Sequence, residues 1–232
     1  GNSDIENLSK KELKMIINYS KKNRILNYVL PLLPKDRFSS QEIEEIKKFE
    51  IRNKIEYLER INEIFFLNKI LDDNDIRCIF LKGASFIIRD IKRPYKRYAA
   101  DIDILIDIKT IKNAYEILIR NGFKSSNKAF NIDKFNYSNN HQIPPLISPR
   151  NIAIDMHYRL TSPRKIFQEK CHITDEVLSN PHKVLFKNTE LHTINWENSL
   201  IHISYHALIH DQFSVGPTFF YDLMYLNKIK PS

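Results

Sequence analysis

Residues 76–107 constrain the fold of this chain more than any other stretch. An apolar segment, 76–81, runs into Lys82-Gly83, and a second apolar segment beyond a basic loop contains Asp101 and Asp103. Side chains alternate between the two faces of a strand, so both carboxylates lie on one face while their isoleucine neighbours enter a core. Carboxylates this close repel each other, and a hard divalent cation such as Mg²⁺, with room for a nucleotide phosphate, relieves the repulsion. The pattern predicts a metal site on this strand.

A third carboxylate lies in a later predicted strand, 151–160. Its alternation places apolar side chains on one face and Asp155 and His157 on the other. Burying an aspartate is costly unless it is paired or binds a metal. Asp155 therefore either completes the metal site or pairs with Arg159 or the basic loop. Asp-x-Asp is also common without a metal, and Asp107, on the same alternation, is interpreted as the end of its strand.

Periodicity and capping signals predict helices and strands in alternation. Glycine at 122 follows a helix, in the usual C-cap position, and Ser39 or Ser40 is an N-cap candidate. The predicted helices cover 5–33, 42–71, 84–91, 110–120, 195–211 and 217–229; the predicted extended segments cover 76–81, 101–107, 123 onward, 141–147 and 151–160; residues 166–190 are read as irregular.

Helices thus precede and follow the predicted strands along the sequence. We divide the chain into an N-terminal helical segment at 1–71, a core at 72–162 and a C-terminal helical segment at 163–232.

The net charge of +8 favours polyanionic ligands such as nucleotides or nucleic acid. A composition rich in Ile, Lys and Asn also raises the charge without any binding, and the sequence leaves both explanations open. The basic and aromatic loop 92–98 is either solvated or grips phosphates. Cys78 and Cys171 form neither a disulfide framework nor a zinc motif. No apolar run is long enough to span a membrane, so we expect a cytoplasmic protein without a membrane partner.

Three histidines recur every fourth residue in the helix predicted over 195–211: His202, His206 and His210. Histidines at this spacing share one face and can bind a transition metal. The preferred interpretation is a helix face that lines the cleft or packs on aromatic side chains, because no cysteine or Glu-x-x-His pattern accompanies the histidines.

Taken together, these motifs resemble the nucleotidyltransferase superfamily with its polymerase-beta-like fold. The chain is most similar to the uncharacterised nucleotidyltransferase family of bacterial proteins, over about residues 50–225. One departure is that Gly83-Ala84-Ser85 stands where the wider superfamily has a Gly-Gly or Gly-Ser pair. The residues that carry the resemblance are Leu81-Lys82-Gly83, Tyr95, Arg97, Asp101-Ile102-Asp103, Asn121-Gly122-Phe123, His141, Asp155-Met156-His157, His206, His210 and Asp222.

The resemblance implies an α+β fold, with a small mixed β-sheet nucleotidyltransferase core flanked by N-terminal and C-terminal helical segments. It also implies a Mg²⁺-dependent enzyme that transfers NMP from an NTP, such as ATP, to a hydroxyl of an unknown acceptor: a small molecule, a protein or a nucleic acid. Asp101 and Asp103 would hold two Mg²⁺ ions, and Asp155 would share one of them and activate the hydroxyl. The implied phosphate contacts are Lys82, Gly83, Ser85 and Arg97, and the implied acceptor-side residues are His141, His157, His206 and His210. The alternative is a catalytically inactive module that binds nucleotide or nucleic acid for regulation.

Overall fold

The computed structural model describes residues 7–89, 99–161, 172–186, 188–210, 212–213 and 216–228. Within these ranges the chain forms eight α-helices and seven strands. The helices are α1 (Lys10–Lys22), α2 (Leu26–Val29), α3 (Ser40–Asp72), α4 (Lys82–Arg89), α5 (Ile111–Arg120), α6 (Ile173–Ser179), α7 (Trp196–Tyr205) and α8 (Thr218–Lys228). The strands are β1 (Ile79–Phe80), β2 (Asp101–Leu105), β3 (Lys124–Ser125), β4 (Leu146–Ile147), β5 (Ala153–His157), β6 (His182–Phe186) and β7 (Thr189–Thr193).

The long helix α3 begins where the sequence predicts. Ser39 is its N-cap, and Ser39 and Glu42 form a capping box in which each side chain bonds to the backbone of the other. Ser9 and Glu12 cap α1 in the same way. The N-terminal helices pack around their own small core, built from Leu13, Leu26, Leu30, Leu33 and Phe38.

The seven strands form one mixed sheet in the order β3-β4-β5-β2-β1-β7-β6. The β2–β5 and β1–β7 pairs are parallel, and the other pairs are antiparallel. The largest hydrophobic core lies between this sheet and helices α3, α4 and α5. The predicted fold class, a mixed sheet with flanking helices, is confirmed.

Two details of the prediction are wrong. The helix predicted over 5–33 is interrupted after Lys22, because Arg24 adopts a left-handed conformation with φ of 57°. The region predicted as irregular contains α6 and strand β6, and β6 pairs with β7 in a hairpin that joins the sheet beside β1. The C-terminal segment is thus helical only in part. The division at 71/72 and 162/163 stays a prediction.

Helix α7 continues into a π-helical turn, His206–His210, and π-helical turns often occur at functional sites. The loop 92–98 lies outside the described residues. No helix in the described ranges combines the length and the apolar character that a membrane crossing needs.

Candidate functional site

The register of two parallel strands brings the predicted carboxylates together. β2 and β5 pair so that Asp103 lies opposite Asp155, and Asp101 lies opposite Ala153. The alternation along β5 keeps Ile154 and Met156 in the core, as predicted, with neither accessible to solvent. Residues far apart in the sequence therefore form one acidic face.

Asp103 is the buried member of the group, with 3% of its surface exposed. The Lys82 ammonium donates to its Oδ1 atom over 2.8 Å, and His157 Nε2 lies 2.9 Å from the same oxygen. Burial alone would raise the pKa of Asp103, but the Lys82 charge and the His157 hydrogen bond outweigh it and hold this pKa far below its usual range. Asp103 is therefore ionised at neutral pH.

Asp155 has the opposite surroundings. No hydrogen bond from the described residues reaches its carboxylate. Burial, reinforced by the negative charges of Asp103 and Asp101, raises the pKa of Asp155 to about 6. The alternative pairing with Arg159 does not form, because that guanidinium donates to the Ser138 carbonyl over 3.4 Å.

Lys82 is held by both its backbone and its side chain. Its φ is 41°, a left-handed conformation that costs energy for a residue with a side chain. Its ammonium lies between Asp103 Oδ1 and His206 Nε2, which is 3.1 Å away. Because an ammonium only donates, His206 Nε2 accepts this hydrogen bond. Sequence reasoning missed this Lys82–His206 pair. The neighbouring Gly83 is a helical residue in α4.

The predicted phosphate contacts are only partly accessible. Gly83 lies in the first turn of α4. Ser85, one turn inside the helix, is fully buried, and its hydroxyl has no hydrogen-bond partner within the described part of the chain. Arg97 lies outside the described residues.

The other histidines cluster around this site. The His141 ring lies 5.6 Å from that of His157, and the His202 ring lies 6.2 Å from that of His206. Burial lowers the pKa of both His157 and His202. His206 contacts Lys82, so the helix face that carries His202 and His206 packs against the site. The side chain of His210 is not described.

The donor set suits a divalent metal ion. Asp103, Asp155 and His157 offer ligand atoms within 4.8 Å of one another, the only group of three acidic, cysteine or histidine side chains that meet this closely among the described residues. Two facing carboxylates, one without a hydrogen-bond partner within the described chain, match the oxygen ligands that Mg²⁺ prefers. His157 already bonds to Asp103, so its geometry suits orientation of that carboxylate.

The chain is similar to known proteins in sequence and in structure. The sequence profile of a family described as "Uncharacterised nucleotidyltransferase" matches residues 9–230. No curated protein matches the chain in sequence. Among solved structures, the crystal structure of ANT(2")-Ia in complex with adenylyl-2"-tobramycin is similar, with 11% identity and a TM-score of 0.41, over 70% of this chain and 90% of that chain.

Proposed function

The chain belongs to the family of uncharacterised nucleotidyltransferases, and from this premise we propose that it transfers NMP from an NTP to a hydroxyl of an acceptor in a metal-dependent reaction. One observation carries the proposal: parallel pairing of β2 and β5 sets Asp155 opposite Asp103, with Asp101 two residues earlier on the same face. Such a carboxylate group is what a phosphoryl-group transfer needs to bind its metal ion.

The proposed metal ligands are Asp101, Asp103 and Asp155. A bound Mg²⁺ ion would neutralise charge on the phosphate oxygens and stabilise the attacking and leaving oxygens. Asp103 stays ionised over a wide pH range because Lys82 and His157 stabilise its charge. It therefore offers a carboxylate ready for a cation.

Asp155 is the proposed general base. In the metal-free protein its pKa is raised to about 6 by burial and by the charges of Asp103 and Asp101, so the carboxylate is ionised at neutral pH and can accept a proton. The acceptor oxygen forms a bond to the α-phosphorus, and the bond between that phosphorus and the bridging oxygen breaks. The electron pair leaves with pyrophosphate, and the hydroxyl proton passes to Asp155.

The N-terminus of α4 is the proposed phosphate cradle. The Ser85 amide donates to the Leu81 carbonyl over 3.0 Å and makes the first helical hydrogen bond. The amides of Lys82 and Gly83, ahead of it, lack intrahelical acceptors and favour an anion. Arg97 is a further proposed phosphate contact. The Ser85 hydroxyl is omitted because it is fully buried.

The acceptor side of the site is proposed to include His141, whose ring lies beside that of His157. The acceptor itself, whether small molecule, protein or nucleic acid, is read by residues beyond the carboxylate group. A nucleoside triphosphate is thus the one partner that this chemistry requires.

The experiment titrates each of the four NTPs into the protein by calorimetry, with Mg²⁺ and with EDTA. We expect one NTP at least to bind only with Mg²⁺, and we expect Asp101→Asn and Asp103→Asn to abolish this binding. Asp73→Asn, which removes an exposed carboxylate paired with Lys69, is the matched control and should bind as the wild type does.

The products formed with water as the acceptor test the reaction type. NMP with pyrophosphate indicates nucleotidyl transfer, whereas NDP with phosphate contradicts the proposal. Nucleotide or RNA binding that persists in EDTA and in both variants would favour the regulatory binding module instead.

A further inference from the structure

The Lys82 ammonium occupies a cation position within the carboxylate group. It lies 2.8 Å from Asp103 Oδ1, and only 19% of its side chain is exposed. From this contact we infer that Lys82 replaces one of the two metal ions, so that the site binds a single divalent cation. The inference rests on the proposed function and concerns how many metal ions that site takes.

The hydrogen bonds at Asp103 limit the carboxylate oxygens that are available to a second metal ion. Oδ1 accepts from both Lys82 and His157. A carboxylate oxygen has two lone-pair sites, so both sites of Oδ1 are occupied. None of the described residues donates to Oδ2, which leaves one oxygen of Asp103 for a metal ion. A carboxylate bridging two ions normally offers an oxygen to each.

The short distance between Lys82 and Asp103 also argues against a metal ion on Oδ1. A Mg²⁺–oxygen bond is about 2.1 Å long, so an ion on Oδ1 would lie at most about 5 Å from the ammonium nitrogen. Two cations that close repel each other strongly where little water separates them. A divalent ion on Oδ1 therefore has to displace Lys82.

Two features oppose that displacement. His206 Nε2 accepts a second hydrogen bond from the same ammonium, over 3.1 Å. The left-handed backbone of Lys82, at the junction of β1 and α4, fixes where its side chain starts. The Lys82 side chain is thus held at the site by its backbone position at the start of α4 and by the hydrogen bond to the turn after α7.

The charges of the facing carboxylates favour one ion as well. The Lys82 ammonium already offsets one of the two negative charges of Asp103 and Asp155, so a single divalent cation is sufficient to offset the other. The open position lies beside Asp155, whose carboxylate accepts no hydrogen bond from the described residues.

Manganese provides the test, because bound Mn²⁺ is counted and characterised by electron paramagnetic resonance. The protein is titrated with Mn²⁺ together with the α,β-methylene analogue of whichever NTP binds in calorimetry, and the analogue alone is the reference. We expect the wild type to bind one Mn²⁺ per chain with the spectrum of an isolated ion. Lys82→Met should bind two, with the spin coupling of ions about 3.5–4 Å apart.

Matched variants make the result specific. Lys82→Arg keeps a cation in place and should bind one Mn²⁺. Lys69→Met removes an exposed lysine outside the site and should also bind one. Two coupled ions in the wild type would overturn the inference and leave the proposed function intact, as would a Lys82→Met variant that still binds one.

If the wild type binds neither Mn²⁺ nor the analogue, both the proposed function and the inference are contradicted. If Lys82→Met does not fold, the number of Mn²⁺ ions bound by the wild type tests the inference by itself: one ion supports it and two contradict it.

Discussion

Asp155→Asn is expected to stabilise the metal-free protein while removing its proposed function. Asp155 lies opposite the ionised Asp103, and no described residue donates a hydrogen bond to it. Its charge is therefore unfavourable in the folded state, whereas an ordinary aspartate in the unfolded chain is hydrated. Asparagine has nearly the same shape and carries no charge.

The pKa gives the magnitude and the sign. Folding raises the pKa of Asp155 from 3.8 to about 6. Because the pKa of Asp155 is higher in the folded protein than in the unfolded chain, its protonation favours folding. This contribution to stability is fully present below pH 3.8 and is lost as the pH rises through about 6. Two units correspond to about 3 kcal/mol at pH 8. The same linkage predicts about half of that cost at pH 5. The stabilisation by Asp155→Asn should therefore grow by about 1 kcal/mol between pH 5 and pH 8.

Urea unfolding without metal ions, at pH 5 and pH 8, measures this difference. For a chain of this size, each kcal/mol corresponds to about 2–4 °C in Tm, so a thermal melt provides a second readout. Asp73→Asn is the control, because an exposed pair contributes at most about 1 kcal/mol. Saturating Mg²⁺ should stabilise the wild type and leave Asp155→Asn nearly unchanged.

Two outcomes would refute the reasoning. If Asp155→Asn is less stable than the wild type at pH 8, the carboxylate is paired in solution and its charge is not costly. If the stabilisation is equal at both pH values, ionisation of Asp155 is not its cause.

Three further changes test individual contacts, one at the site and two elsewhere in the fold. Asp103→Asn leaves the Lys82 ammonium without its charge partner and should cost about 3–5 kcal/mol in urea unfolding, opposite in sign to Asp155→Asn. Arg150→Met leaves the fully buried Glu63 unpaired and should cost a similar amount, which the double variant with Glu63→Leu should largely recover, since an apolar pair replaces the ion pair. Ser39→Ala removes the cap of α3 and should cost about 1 kcal/mol in thermal unfolding, and an unchanged Tm would contradict the capping role.

Local patterns predicted much of this fold because they depend on neighbouring residues. The capping signal at Ser39 marked the start of α3, and Asn195 caps α7 as its sequence suggests. Alternation in the strand around Asp155 predicted which of its side chains enter the core. The shared face of Asp101 and Asp103 followed from the same rule, although their catalytic role stays a prediction.

Contacts between distant segments could not be predicted in this way. Nothing in the local sequence says that β7 pairs in parallel with β1 or that Asp155 falls opposite Asp103. The hydrogen bond from Lys82 to His206 likewise depends on how α7 and its π-helical turn pack against the sheet. The spacing of the histidines by four residues predicted that they share one helix face, but only the tertiary structure identified Lys82 as the partner of His206.

The strand order also has a consequence for synthesis on the ribosome. β1 ends at Phe80, and its parallel neighbour β7 is complete only at Thr193. At the usual 5–20 residues per second, roughly 6–23 s pass before that partner has been made. During this interval one edge of β1 has no strand to bind, and unpaired edges of this kind invite association with other chains. Because β1 is only two residues long, the nascent chain exposes few unpaired backbone groups for such association before the β6–β7 hairpin has been synthesised.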